Sequence, residues 1–138
     1  MEEIEKVEVT LPAKKKYLSL IGAIVQEICN EVPELDPAAS YNIHLAVDEA
    51  VSNVITHAYK DMASGLVELT FEIWANQLVI RIRDWGLSFD PSAIPEPDLQ
   101  NPQERGYGVY LIRKLMDNVM YEEGTENGNL VTLIKRTS

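Results

Sequence analysis

Cysteine is almost missing from this chain. Cys29 stands alone among 138 residues, so no intrachain disulfide can form and a cysteine-rich zinc site is excluded. Its position on an apolar helical face predicts inert packing. Long apolar runs are missing as well. None approaches the roughly 20 residues that cross a bilayer as a helix, and the opening MEEIEKVEV has no apolar signal region. A cytoplasmic protein without a membrane partner is expected. Basic residues are scarce, 12 against 22 acidic ones, for a formal net charge of −10. That surface repels a phosphate backbone, which argues against direct binding of nucleic acid. It leaves small phosphorylated ligands open, because backbone N–H groups and a metal ion can hold phosphates locally. Internal repeats and low-complexity segments are also missing.

What is present is a 46% apolar composition, enough for a single domain over residues 1–138 with its own core. Val7, Val9 and Leu11 alternate with polar residues and predict a short half-buried strand. Pro12 then suits a helix start. Tyr17, Leu20, Ile21, Ile24, Val25 and Ile28 carry helical spacing, for a helix over about residues 12–31. Lys14, Lys15 and Lys16 fall in its first turns, where cations oppose the helix dipole. They form either a solvated face or a contact for an acidic partner.

Pro33 and Pro37 interrupt the chain. A second helix is expected from Pro37 or Ala38 to Tyr59, with Ile43, Ala46, Val47, Ala50, Val54 and Ala58 as its apolar stripe. Val67, Leu69, Phe71 and Ile73 alternate, as do Leu78, Ile80 and Ile82 after a turn at Ala75-Asn76-Gln77, which predicts an antiparallel hairpin. The stretch after Trp85 holds Pro91, Pro95, Pro97 and Pro102 without periodicity. A long loop of this kind is commonly a lid or binding loop, here over about residues 89–106. A third helix with Val109, Ile112, Met116 and Val119 on one face follows. A last hairpin has Val119-Met120-Tyr121 leading up to a turn that holds Asn127-Gly128, with Leu130, Thr132 and Ile134 leading away. This order predicts an α/β two-layer sandwich: a mostly antiparallel mixed sheet with helices on one face.

Three groups of residues carry chemistry. Glu49, Asn53 and His57 are spaced i, i+4, i+8 at the border of the second helix's apolar stripe. Such polar groups are satisfied by neighbours or line a cleft. An amide oxygen can ligate magnesium, and a carboxylate can take a proton from an attacking hydroxyl. Asp84-Trp85-Gly86 ends a strand with a carboxylate, an acceptor suited to an exocyclic amine, beside a glycine that allows close approach. The alternative is a plain turn. Gly106-Tyr107-Gly108 opens the third helix, whose N-terminus is an anion site. Loop flexibility alone would also account for it.

Together and in this order, the three groups resemble a known family. DEAVSNVITHAY (48–59) is similar to the N box of the gyrase and histidine-kinase type ATPases. RDWGLSFDP (83–91) resembles their adenine-binding box, and RGYGVYLIRKLMDNVMYE (105–122) their second glycine box. The trailing Leu-Ile, Leu-Met-Asp and Tyr-Glu resemble the anti-sigma-factor serine kinases of bacteria. The resemblance spans about residues 7–136 and implies the Bergerat, histidine-kinase-like ATPase fold. It implies ATP or ADP with Mg2+ as ligands. It assigns Asn53 to the metal, Glu49 to the catalytic base, and Asp84 with Gly86 to the adenine. It assigns Gly106 and Gly108 to the phosphates, Thr132 to the adenine water network, and Arg105 to the terminal phosphate. His57 would be a packing or supporting residue.

The activity so implied is a protein serine kinase that doubles as a switch. It would phosphorylate a small anti-anti-sigma (STAS-type) antagonist protein and hold a target such as a sigma factor. A homodimer is common in such proteins. The alternative is a non-catalytic ATP-sensing interaction module, which has no need of Glu49 as a base. Autophosphorylation fits poorly, because neither His44 nor His57 belongs to a separate helix pair.

Overall fold

The computed structural model describes residues 3–62, 65–88 and 107–137, with backbone alone for 107–109. Strand β1 (Glu3–Pro12) leads to helices α1 (Leu18–Asn30) and α2 (Pro37–Asn53). Then come β2 (Leu66–Trp74), β3 (Gln77–Asp84), α3 (Tyr107–Leu115), β4 (Asn118–Thr125) and β5 (Gly128–Arg136). The strands lie in the order β1-β2-β3-β5-β4. Every neighbouring pair is antiparallel, so the sheet has no parallel ladder among the described residues. The expected lid over 89–106 lies outside the described residues.

Register explains the core. Leu69, Phe71 and Ile73 of β2 stand directly opposite Ile82, Ile80 and Leu78 of β3, and Ile80 opposite Leu133 of β5. Directly paired residues share a face, so one apolar face spans the middle of the sheet. Ile43, Ala46, Val47, Ala50 and Val51 of α2 are buried with it, together with Ile21, Val25 and Cys29 of α1 and Ile112 of α3. Helix α2 packs against both α1 and α3 and is thus the middle element of the helical layer. Cys29 is buried, as expected, and burial pushes its thiol pKa up, partly offset by a hydrogen bond with Ser40. The other sheet face is polar, with cross-strand ion pairs Glu72–Arg81 (3.4 Å) and Glu68–Arg83 (3.8 Å).

The start of α1 departs from expectation. Pro12 closes β1, paired with Leu66, and does not open a helix. An edge strand tolerates a residue without an N–H, and the Ala13 N–H resumes bonding at the Gly65 carbonyl (2.9 Å). A single 3₁₀ turn (Lys15–Tyr17) intervenes before α1. Lys14, Lys15 and Lys16 are therefore exposed ahead of α1, outside its first turn. Val119, expected both on the third helix's face and at the start of the last hairpin, belongs to the hairpin alone: it stands in β4 opposite Leu133 and reaches the core from the sheet.

The start of α2 follows its local signals. Pro37 occupies the first helical position, and the Asp36 carboxylate accepts the Ala39 N–H at 2.8 Å. Asp36→Ala should cost about 1 kcal/mol, the usual worth of such a cap. The check is a lower urea midpoint with an unchanged slope.

Candidate functional site

The site begins on α2. Glu49 and Asn53 lie one turn apart and both are half-buried, at the edge of a stripe that sinks into the core. Burial raises the Glu49 carboxyl pKa above the ordinary value, and the neighbouring Asp48 carboxylate raises it further. A raised carboxyl is a stronger proton acceptor once ionised. After Asn53 the helix widens into a π turn, Val54–Ala58, closed by the Tyr59 N–H on the Val54 carbonyl (3.1 Å). Such widened turns are frequent at functional sites. Here the extra residue per turn carries His57 off the straight Glu49–Asn53 ridge, and His57 is exposed.

The end of β3 docks on this π turn. The Leu87 N–H donates to the Ala58 carbonyl at 2.7 Å. A Cβ on Gly86 would lie 2.2 Å from that same carbonyl oxygen, so only glycine fits between the turn and the helix end. Tyr59 fastens the joint from behind. Its hydroxyl donates to the Leu66 carbonyl (2.7 Å) and accepts the Trp85 N–H (2.9 Å). Burial raises the phenol pKa, the Trp85 hydrogen bond pulls it back, and the Asp84 carboxylate pushes it up again.

Asp84 is the buried centre of the arrangement, only 5% exposed. Its Oδ1 accepts the Gly86 N–H (2.9 Å) and the Asn129 side-chain N–H (2.9 Å). Its Oδ2 takes no hydrogen bond among the described residues. A buried carboxylate is an acceptor for an incoming N–H donor. The chemistry fits an amine-bearing base.

Asn129 was absent from the residues picked out by sequence. Besides Asp84 it donates to the carbonyls of Gly86 (3.2 Å) and Leu87 (3.4 Å), and its Oδ1 accepts from the Gly124 N–H (2.9 Å) and the Ser88 hydroxyl (3.3 Å). It stands directly opposite Asp84 in the β3–β5 ladder. Gly128 just before it has φ +85°, and a Cβ there would lie 2.2 Å from the Asp84 carbonyl oxygen. Counting register back from the Asn127-Gly128 turn is the signal that would have found it. Thr132, the residue expected on this strand, does not join the site. It pairs with Arg81 and Met120, three positions on, and an odd offset along a strand puts it on the opposite face.

Hydrogen bonding thus joins Asp84, Gly86 and Asn129 to one another and to the end of the helix that carries Glu49 and Asn53. Gly108 lies in the first turn of α3, which packs along α2. Arg105 and Gly106 lie outside the described residues. Among those residues no group of three or more His, Cys, Asp or Glu side chains could hold a metal ion by itself. A cation at Asn53 would need oxygens from a ligand.

Glu49 generates a stability prediction. With its folded pKa above the unfolded one, the group favours folding in full below the ordinary carboxylate pKa of about 4. That contribution is lost as pH rises through the raised value. Glu49→Gln should therefore melt at a higher temperature than wild type near pH 7. The gain should shrink to nothing near pH 3, as followed by calorimetric scans across that range.

Comparison with known proteins agrees with this geometry. Residues 11–135 match the family model of the histidine kinase-like ATPase domain. The serine-protein kinase RsbW of Bacillus thuringiensis (strain Al Hakam) is 32% identical over 139 residues, covering 90% of this chain and 82% of that protein. The one from Bacillus anthracis (strain A0248) is 33% identical over 138 residues with the same coverage. Among solved structures, the histidine kinase domain of the blue-light activated histidine kinase from Erythrobacter litoralis EL346 superposes with a TM-score of 0.54 at 23% identity. The match covers 87% of this chain and 59% of that one, and it speaks for the fold. With a family model running from β1 to β5 and relatives a third identical over nine-tenths of its length, the chain belongs to the histidine kinase-like ATPase family, in its RsbW serine-protein kinase group.

Proposed function

We propose that this protein is a magnesium- and ATP-dependent protein serine kinase that also acts as a binding switch. The observation that carries the reading is the joint between α2 and the Asp84 turn. A half-buried proton acceptor, Glu49, sits one helical turn before an amide, Asn53, on a helix whose end accepts the Leu87 N–H of the turn that follows the Asp84 carboxylate. Phosphoryl transfer asks mainly for positioning, charge stabilisation and a base.

In this reading Asp84 accepts the adenine amine through Oδ2, and Gly86 keeps that approach clear. The Asn53 amide oxygen would hold Mg2+, an ion that takes oxygen ligands. Bound magnesium supplies charge neutralisation at the phosphates. Backbone N–H groups at Gly106 and Gly108 cradle the phosphates, and Arg105 reaches the terminal one. Glu49 takes the proton from a protein serine as the serine oxygen bonds to the γ-phosphorus. The bond from that phosphorus to the bridging β–γ oxygen breaks, and ADP leaves.

The substrate in this reading is a small anti-anti-sigma (STAS-type) antagonist, and the alternately held target is a sigma factor. Phosphate added to the antagonist would face a chain of net charge −10, which favours release. Lys14, Lys15 and Lys16, exposed ahead of α1, offer a local cationic contact for an acidic partner surface. A cytoplasmic location and a homodimer complete the proposal.

Two variants test it. Glu49→Ala should bind ATP as wild type does while transfer to the antagonist drops by about 10²–10⁴, read by labelled phosphate in single-turnover assays. Undiminished transfer in Glu49→Ala would remove the kinase mechanism. A wild type that binds ATP but transfers nothing would favour the non-catalytic ATP-sensing module. Asn53→Ala should weaken ATP binding with magnesium and leave metal-free binding nearly unchanged, read by calorimetric titration.

A further inference from the structure

We infer that the cavity between Glu68, Arg83, Trp85 and the Glu126-Asn127 turn receives an arginine side chain of a protein partner. The cavity opens on the polar face of the sheet, the face opposite to that of the Asp84 side chain, and the inference stands independently of the nucleotide.

Strand register builds the cavity. Glu68 and Arg83 stand directly opposite each other in the β2–β3 ladder. Trp85 is two residues beyond Arg83, on the same side by alternation. Glu126 and Asn127, in the turn between β4 and β5, complete the lining around a volume of about 320 Å³. That is the lower end of the range for ligand pockets, about 300–1,000 Å³, and it suits one long side chain.

The walls are set before anything binds. The Arg83 guanidinium donates to the Asn127 carbonyl and lies 3.8 Å from the Glu68 carboxylate. The Thr125 hydroxyl donates to the Gly128 carbonyl at 2.6 Å and closes the turn. The Trp85 N–H is held by the Tyr59 hydroxyl. Its indole leans on Gly128, where an added Cβ would come 3.0 Å from Cδ1. The residue is nevertheless 47% exposed. Walls ordered in advance lower the cost of binding.

Charge and shape select the occupant. Two carboxylates face one guanidinium that is already engaged, so the lining carries an excess of negative charge and repels an anion. Glu126 makes no ion pair among the described residues. Nor do those residues include three His, Cys, Asp or Glu side chains grouped to hold a metal ion. An organic cation remains, and an exposed indole attracts one. Arginine suits the site better than lysine, because its planar guanidinium stacks on a ring while its N–H fork meets a carboxylate. A chain of net charge −10 also draws a basic partner surface towards it.

The test uses the indole N–H signals of Trp85 and Trp74, the two tryptophans of the chain, in nitrogen-15 NMR titrations of the full protein. Trp74 lies at the other end of β2 with its indole on Glu72, and serves as the internal control. A Gly-Arg-Gly peptide with blocked ends should shift the Trp85 signal saturably and leave Trp74 still. The same peptide with neutral citrulline in place of arginine should shift neither. Glu126→Gln should weaken the arginine peptide about two- to fivefold, the scale of an exposed ion pair. Adding Glu68→Gln should abolish the response, since the lining then carries a positive excess; thermal melts check that both variants fold. Free L-arginine, whose carboxylate meets the acidic rim, should bind more weakly than the blocked peptide. A still Trp85 signal, equal responses to arginine and citrulline, or undiminished binding in the double variant would overturn the inference. Tighter binding of the free amino acid would assign the cavity to a small molecule and overturn the partner reading.

Discussion

Asp84 is a buried carboxylate, and the rest of the site follows from how it is satisfied. An ionised group out of water is costly unless charge-assisted hydrogen bonds replace its hydration. One donor is two residues on, in the same turn; the other, Asn129, is 45 residues on, in β5. The carboxylate therefore ties the end of β3 to the start of β5. Asn129 extends the tie to the Gly86, Leu87 and Ser88 segment on one side and to Gly124 on the other. One carboxylate oxygen and one side-chain amide thus hold these connections together at one end of the sheet.

Helix α2 is coupled to that centre by backbone contact. The π turn directs the Ala58 carbonyl at the Leu87 N–H, and Gly86 allows the approach. Tyr59 then bonds the entry to β2 and the exit from β3 with one hydroxyl. Glu49 and Asn53 sit about two turns and one turn before this joint, so a shift of the Asp84 turn would move with the end of their helix. Rigid seating of this kind keeps reacting groups in register and matters more for phosphoryl transfer than any covalent contribution.

The division of the two sheet faces has a functional side. The apolar face is consumed by the helices, while the opposite face carries cross-strand ion pairs such as Glu72–Arg81. Charge is thus kept off the core, and the acidic excess lies on the surface, where it repels phosphorylated species that are not specifically held. The lysines ahead of α1 are a local exception, standing at the end of the edge strand β1.

Sequence alone determined the elements whose signals are local. The alternation of Val67, Leu69, Phe71 and Ile73, the helical stripe from Ile43 to Ala58, the Asp36-Pro37 start and the Asn127-Gly128 turn each act within a few residues, and each has its counterpart in the structure. Gly86 was likewise readable, because close backbone approach demands glycine wherever it occurs. Tertiary structure decided the rest. Pro12 satisfies a helix start and the end of an edge strand equally well, and only pairing with Leu66 chose the strand. His57 left its ridge because the helix widened to seat the Asp84 turn, a demand made from outside the helix. Asn129 rather than Thr132 meets Asp84 because strand register is a long-range relation, and a shift by an odd number of residues exchanges the two faces of a sheet.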